Sequence, residues 1–212
     1  MPALSRHTAA RLAGVTAALF AACTAITVSG LLDGMDHDAA AAMRRIATHT
    51  GDVVLSWFSL PASVQLSAGW LALLAVVASR RPWWRGRVMA LATVVVAGVA
   101  LEVAMKILID HPGPHPGRGV IALGGGELGR GSFPSGHAFR GTTLAFGTAL
   151  LARATRRPPA LVVAAGYAAL LAWTTVYLNQ HWTSDVIGGV LLGLTAAVMV
   201  AAVPAAVRQR RT

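Results

Sequence analysis

The chain has 212 residues, 55% of them hydrophobic and 12% charged, with 18 Lys and Arg against 8 Asp and Glu and a formal net charge of +10. A soluble domain is nearer a quarter charged. With a mean hydropathy of +0.61, these values exclude an ordinary soluble globule and point to a polytopic membrane protein forming one domain, residues 1–212.

Residues 1–7 are polar and carry Arg6; residues 8–32 form an apolar run long enough to cross about 30 Å of hydrocarbon. A cleaved signal peptide competes with a retained span here. Phe20, three residues before the single cysteine Cys23, does not suit a lipoprotein cleavage box, so a retained span is expected. That one cysteine also excludes an internal disulfide framework. Residues 33–52 place Asp33, Asp36, Asp38, Arg44, Arg45 and Asp52 around an alanine-rich patch, the pattern of a short amphipathic surface helix.

Apolar character returns near Val53 and, after Pro61, continues to Ser79 as a second span. RRPWWRGR (80–87) reads as a basic loop with two interfacial tryptophans, and a third span covers 88–109. Residues 110–136 are rich in Gly and Pro and too polar to span. A fourth span runs from His137 to Ala152, a fifth over 160–179 and a sixth over 185–206, before RQRRT. The expected fold is all-α: an integral membrane bundle of six transmembrane helices, with the amphipathic surface helix after the first.

With six spans the charges sort by side. Arg6, Arg11, Arg80, Arg81, Arg85, Arg87, Arg153, Arg156, Arg157, Arg208, Arg210 and Arg211 fall on one side without a carboxylate among them. The positive-inside rule makes that side cytoplasmic, with both termini inside the cell's inner (plasma) membrane. The basic excess is then a topology signal that also favours anionic lipid headgroups, and nucleic acid is not an expected partner.

Three polar clusters reach the outer face together in this topology. Lys106 ends the third span, Ser135-Gly136-His137 begins the fourth, and His181-Trp182-Thr183-Ser184-Asp185 joins the fifth to the sixth. Ionisable groups at membrane depth are costly and usually functional. Pro134 and Gly136 punctuate the chain, and Ser135 stands where an N-cap would. A helix starting there aims free N–H groups at an anion, with His137 able to move a proton beside it; a plain capped helix start is the alternative. His181 and Asp185 are four apart, so on a helical turn the carboxylate can hold one ring nitrogen and leave the other free for attack on phosphorus. A surface His–Asp pair capping a helix is the alternative there.

Lys106, SFPSGHA (132–138) and VYLNQHWTSDVIGG (176–189) resemble the three signatures of the type 2 phosphatidic acid phosphatase family, which shares its site with vanadium haloperoxidases. The resemblance covers nearly the whole chain. It implies that His181 attacks phosphorus and becomes a phosphohistidine, that Asp185 holds its ring, and that His137 protonates the leaving alcohol. It further implies that Lys106, Ser135 and the Gly136 N–H hold the phosphoryl oxygens, and that no metal or other cofactor is needed. Two departures stand out. The family's arginine seven residues after the lysine is Gly113 here, and its arginine six residues before the nucleophilic histidine is Thr175. Losing such bidentate contacts weakens phosphate binding unless something replaces them.

Arg140, three residues after His137, shares its helical face and is the expected replacement, with the phosphate or Glu102 as its partner. Snorkelling to the headgroups is the alternative. Arg118, Arg130, His111 and His115 are further candidates. The function expected is a membrane lipid phosphatase acting on a lipid phosphate or diphosphate at the outer face: phosphatidic acid, phosphatidylglycerophosphate or a polyprenyl diphosphate. A lipid phosphotransferase using the same intermediate and a non-catalytic lipid-binding homologue compete with it. Membrane lipids and the lipid phosphate are the partners expected.

Overall fold

The structure, a computed structural model, describes residues 6–121, 131–152 and 154–203. Its described residues form helices and loops without strands. The helices are α1 (Arg6–Val28), α2 (Asp33–Ile46), α3 (His49–Ser59), α4 (Val64–Ser79), α5 (Pro82–Leu108), α6 (Gly136–Ala149), α7 (Arg157–Tyr177) and α8 (Thr183–Ala202). Proline stands in the first turn of α5 and of α7, where its missing N–H costs nothing and its fixed φ favours the helix.

Four of these helices, α1, α5, α7 and α8, are long and apolar enough to cross a membrane, and the pair α3–α4 adds a fifth candidate bent by 47°. The bend falls at Leu60–Ala62, where Pro61 cannot continue α3 and Ser63 caps α4 by accepting the Leu66 N–H. The second apolar run is therefore two helices rather than one straight span. The fourth differs more. α6 has 14 residues, about 21 Å of helix, which is short for a full crossing. It is buried along most of its length, including Arg140, Thr142 and Thr143, so protein rather than lipid surrounds it. Among the described residues, four helices and the bent pair thus have the length and composition of a crossing, and the fourth expected span, α6, is shorter and lies inside the bundle.

α8 lies between α1 and α6, and α6 between α8 and α7. Close approach of α6 to α8 depends on Gly189 and Gly193. A Cβ at Gly193 would sit 2.7 Å from Thr142 Cβ and 2.9 Å from Phe139 O, and one at Gly189 would meet Ala138 Cβ at 2.9 Å. Small residues at helix contacts let backbones approach, the usual solution where lipid supplies no hydrophobic drive. Leu74, Val88, Leu91, Val95, Leu144 and Val200 build the core at the other end, while Phe139, Leu192 and Ala196 pack nearer the site.

The outward faces are apolar. Val96, Met89, Ile107, Leu108, Val162 and Val163 are each more than two-thirds exposed, an arrangement stable against lipid rather than water. Along α5, Arg87 at one end and Lys106 near the other are 19 residues apart, about 28 Å, close to the thickness of a hydrocarbon core. Buried Arg87 donates to Leu150 O (2.7 Å) and Val203 O (3.1 Å), closing the C-terminal ends of α6 and α8. These observations make the chain a multi-pass membrane protein.

Candidate active site

Lys106, the Ser135-Gly136-His137 turn and the His181–Asp185 turn meet at one end of the bundle. Each arrives by a definite local device. Lys106 stands in the last turn of α5, where a cation complements the helix dipole, and the prolines at 112, 114 and 116 prevent the helix from continuing. α7 ends in a Schellman motif: Gln180 N–H donates to Thr175 O (3.1 Å) and Asn179 N–H to Val176 O (2.9 Å). Asn179 takes φ +53° there, a left-handed conformation that asparagine tolerates. That turn delivers His181.

Asp185 is the third helical residue of α8 and accepts the Trp182 N–H (2.9 Å), half of a capping box. Asp185 O accepts the Ser135 N–H (2.9 Å), tying the two turns together, and Ser135 Oγ caps α6 by accepting the Ala138 N–H (3.4 Å). The N–H groups of Gly136 and His137 have no acceptor among the described residues, as expected of the first turn of a helix.

Expectation and geometry differ at the histidine–carboxylate pair. His181 Nδ1 and Asp185 Oδ2 are 3.5 Å apart, too far for a good hydrogen bond. Ser132 stands between them, its Oγ 2.5 Å from Asp185 Oδ2 and 3.0 Å from His181 Nδ1. A hydroxyl has one proton to give. With that proton on the fully buried carboxylate, Ser132 Oγ accepts the Nδ1–H of His181. The relay fixes the ring's tautomer and leaves Nε2 with its lone pair, the state a nucleophilic imidazole requires. Ser132 lay in plain view in the sequence, yet nothing in its spacing revealed this position.

Arg140 and Lys106 converge on Glu102. The carboxylate meets Arg140 Nη1 at 2.7 Å and Lys106 Nζ at 3.1 Å, and Arg140 Nε donates to Ala62 O at 2.9 Å. Arg140 is only 5% exposed. Of the partners considered for it, Glu102 is the one it contacts, and snorkelling is excluded by its burial. The pair lies directly behind the turn: a Cβ on Gly136 would stand 2.6 Å from Arg140 Nη1 and collide with the Glu102 carboxylate. His137 lies within electrostatic reach of Arg140, His181 and Lys106, so both histidines and both cations share one small region.

The remaining candidates separate. His111 joins the cluster, its Nε2 3.4 Å from Asp185 Oδ1. Arg118 turns elsewhere, to Asp52 (3.3 Å) and over the Tyr177 ring (5.4 Å), strapping the long loop to α3 and α7. His115 is exposed, and Arg130 lies outside the described residues. Of the two positions lacking arginine, Gly113 abuts the cluster, since a Cβ there would meet Ser132 Oγ at 3.1 Å. Thr175 is fully buried with its hydroxyl on Ala172 O (2.9 Å).

One more carboxylate supports the site from α2. Buried Asp36 accepts the Ser184 N–H (2.9 Å) and the Ser184 Oγ–H (2.6 Å), so a surface helix supplies the acceptors that the start of α8 lacks.

The arrangement can be compared with known proteins. A transmembrane PAP2-type phosphatidylglycerolphosphate phosphatase of Bacillus subtilis superposes with a TM-score of 0.73 at 19% identity, over 89% of this chain and 94% of that one. LpxE of Aquifex aeolicus superposes with a TM-score of 0.59 at 18% identity, over 78% of this chain and 94% of the other. No curated protein matches by sequence. The profile of the PAP2 superfamily matches residues 87–209, a stretch that contains every member of the cluster and more than half of the sequence, and the chain therefore belongs to that superfamily.

Proposed function

We propose that the protein is a membrane lipid phosphatase that hydrolyses a lipid phosphate or diphosphate of the phosphatidic acid, phosphatidylglycerophosphate or polyprenyl diphosphate class. The carrying observation is the His181–Ser132–Asp185 relay, which commits Nδ1 of His181 and leaves Nε2 free. Nε2 attacks phosphorus, forming a P–N bond as the P–O bond to the leaving group breaks. His137 gives its proton to the departing oxygen. Water then attacks the phosphohistidine, returning a proton to His137 and releasing phosphate. Such transfer consists mainly of positioning and of charge stabilisation around three equatorial oxygens.

Lys106, the hydroxyl of Ser135 and the free N–H groups of Gly136 and His137 hold those oxygens, with Arg140 adding positive charge from behind the turn. No metal is required in this scheme. In the cell the protein sits in the inner (plasma) membrane with both termini in the cytoplasm and the site facing outward. α6 serves as the short fourth crossing of six, and α2 lies in the interface. The apolar seams between helices accept the lipid tails.

The test is phosphate release from a panel of lipid mono- and diphosphates by protein in detergent, with His181→Ala and a chelator alongside. Turnover that disappears with His181 and survives the chelator is expected. Turnover retained by His181→Ala overturns the mechanism. Glu102 contacts both site cations, which favours the lipid-binding alternative should no substrate be cleaved. Release that depends on an added alcohol acceptor would instead identify a phosphotransferase.

A further inference from the structure

Asp185 has two oxygens, and the relay to His181 uses only one. Oδ2 accepts from Ser132 Oγ and from the Trp182 N–H. Oδ1 is buried and has no hydrogen bond among the described residues, and the same holds for Nε2 of His111. These two orphaned atoms are 3.4 Å apart. A buried carboxylate oxygen and a buried ring nitrogen each demand a partner, and each is the other's neighbour. A shift of a few tenths of an ångström makes the bond.

The main chain around His111 is already held for that purpose. His111 O accepts the Ser132 N–H (2.7 Å), and the next residue's carbonyl, Pro112 O, accepts the Trp182 indole N–H (2.7 Å). The segment is thus fastened on one side to the residue that bridges His181 and Asp185, and on the other to the residue that caps the same carboxylate. It also contains Gly113, whose open side faces Ser132. The loop that lacks an arginine at 113 presents an imidazole two residues earlier.

We propose that His111 is a positioning residue. Its Nε2–H holds Oδ1 of Asp185, so that Oδ2 stays aligned on Ser132 and the Nδ1 side of His181. This rests on the reading of His181 as nucleophile. Without His111 the carboxylate can rotate about its last torsion, the Ser132 bridge loosens, and the wrong tautomer of His181 becomes populated. Substrate contacts are untouched, so turnover falls and binding does not.

The test compares His111→Met, which fills similar space without a donor, with His111→Gln, whose amide nitrogen reaches a similar position. Two readouts are taken on the intact protein in detergent. One is the rate at which diethyl pyrocarbonate modifies His181, followed by peptide mass spectrometry; the other is kcat and KM on dioctanoyl phosphatidic acid. His111→Met is expected to slow modification of His181 and lower kcat about tenfold with KM within twofold. His111→Gln is expected to recover most of both. Modification of His181 that is unchanged in His111→Met, or equally impaired in both variants, overturns the proposal. His181→Ala separates the two ideas. If it still turns over, the phosphohistidine reading falls, while the modification rates continue to decide whether His111 acts on Asp185.

Discussion

At the scale of single residues, the site works by sharing acceptors. Glu102 serves two cations and Asp185 faces two imidazoles, one of them through Ser132. Such sharing economises on charge in a medium where each buried ion is costly, but it makes every member depend on the others. Arg140 illustrates this. Arg140→Ala strips Glu102 of its shorter ion pair inside the bundle, and breaking a buried pair from one side costs about 3–5 kcal/mol. We expect a lower unfolding temperature in detergent and weaker inhibition by inorganic phosphate. A folded Arg140→Ala protein with unchanged phosphate inhibition would remove Arg140 from the anion site. The pair was half legible in the sequence. The four-residue step from Glu102 to Lys106 and the three-residue step from His137 to Arg140 place each couple on one helical face, which made Glu102 one of two partners expected for Arg140; the contact between the two helices is seen only in the packing.

At the scale of elements, helix ends do most of the positioning. α6 and α8 begin at the site, joined by the Ser135 N–H to Asp185 O bond, and α7 ends there in a left-handed asparagine. α2 contributes in a way its pattern did not suggest. The acidic and basic residues over 33–46 read as the solvent-facing side of a surface helix, yet Asp36 is buried beside Ala40, while Met35 and Ile46 are exposed. One of the charges is therefore the docking point, because it meets the unsatisfied start of α8. We predict that Asp36→Ala destabilises the protein by about 1–3 kcal/mol, the range for leaving a buried donor unpaired, and lowers turnover as α8 shifts Asp185. Asp36→Asn, which keeps an oxygen acceptor for one of the two donors, should recover part of each. Thermal unfolding and phosphate release on the same samples check this; an Asp36→Ala protein with unaltered stability would show that the clamp is dispensable.

At the scale of the whole molecule, polarity is segregated along the axis of α5. Arg87 closes the C-terminal ends of α6 and α8 at one end, and the site occupies the other. Arg80, Arg81 and Arg85 lie at or just before the start of α5, and from the positive-inside rule we predict that this end faces the cytoplasm. The single cysteine makes this easy to check. In a Cys23→Ala background, a cysteine at exposed Gly119 is expected to react with a membrane-impermeant maleimide added to intact cells or spheroplasts. A cysteine at exposed Arg80 should react only after permeabilisation. The reverse pattern would invert the topology and turn the site inward.

The sequence by itself determined the membrane class, the helical content and the position of most apolar segments, and it singled out His137 and His181 as candidates, because these depend on local composition and on residues adjacent in the chain. Tertiary structure alone decided that one apolar segment is bent at Pro61, that α6 is a short inner helix, and that Ser132 and His111 stand against Asp185 while Asp36 holds its neighbour Ser184. Hydropathy and helical period report which face of a segment avoids water, and say nothing of which buried donor meets which buried acceptor. Those pairings join residues 53 and 148 positions apart, and only the packing of helices against one another selects them.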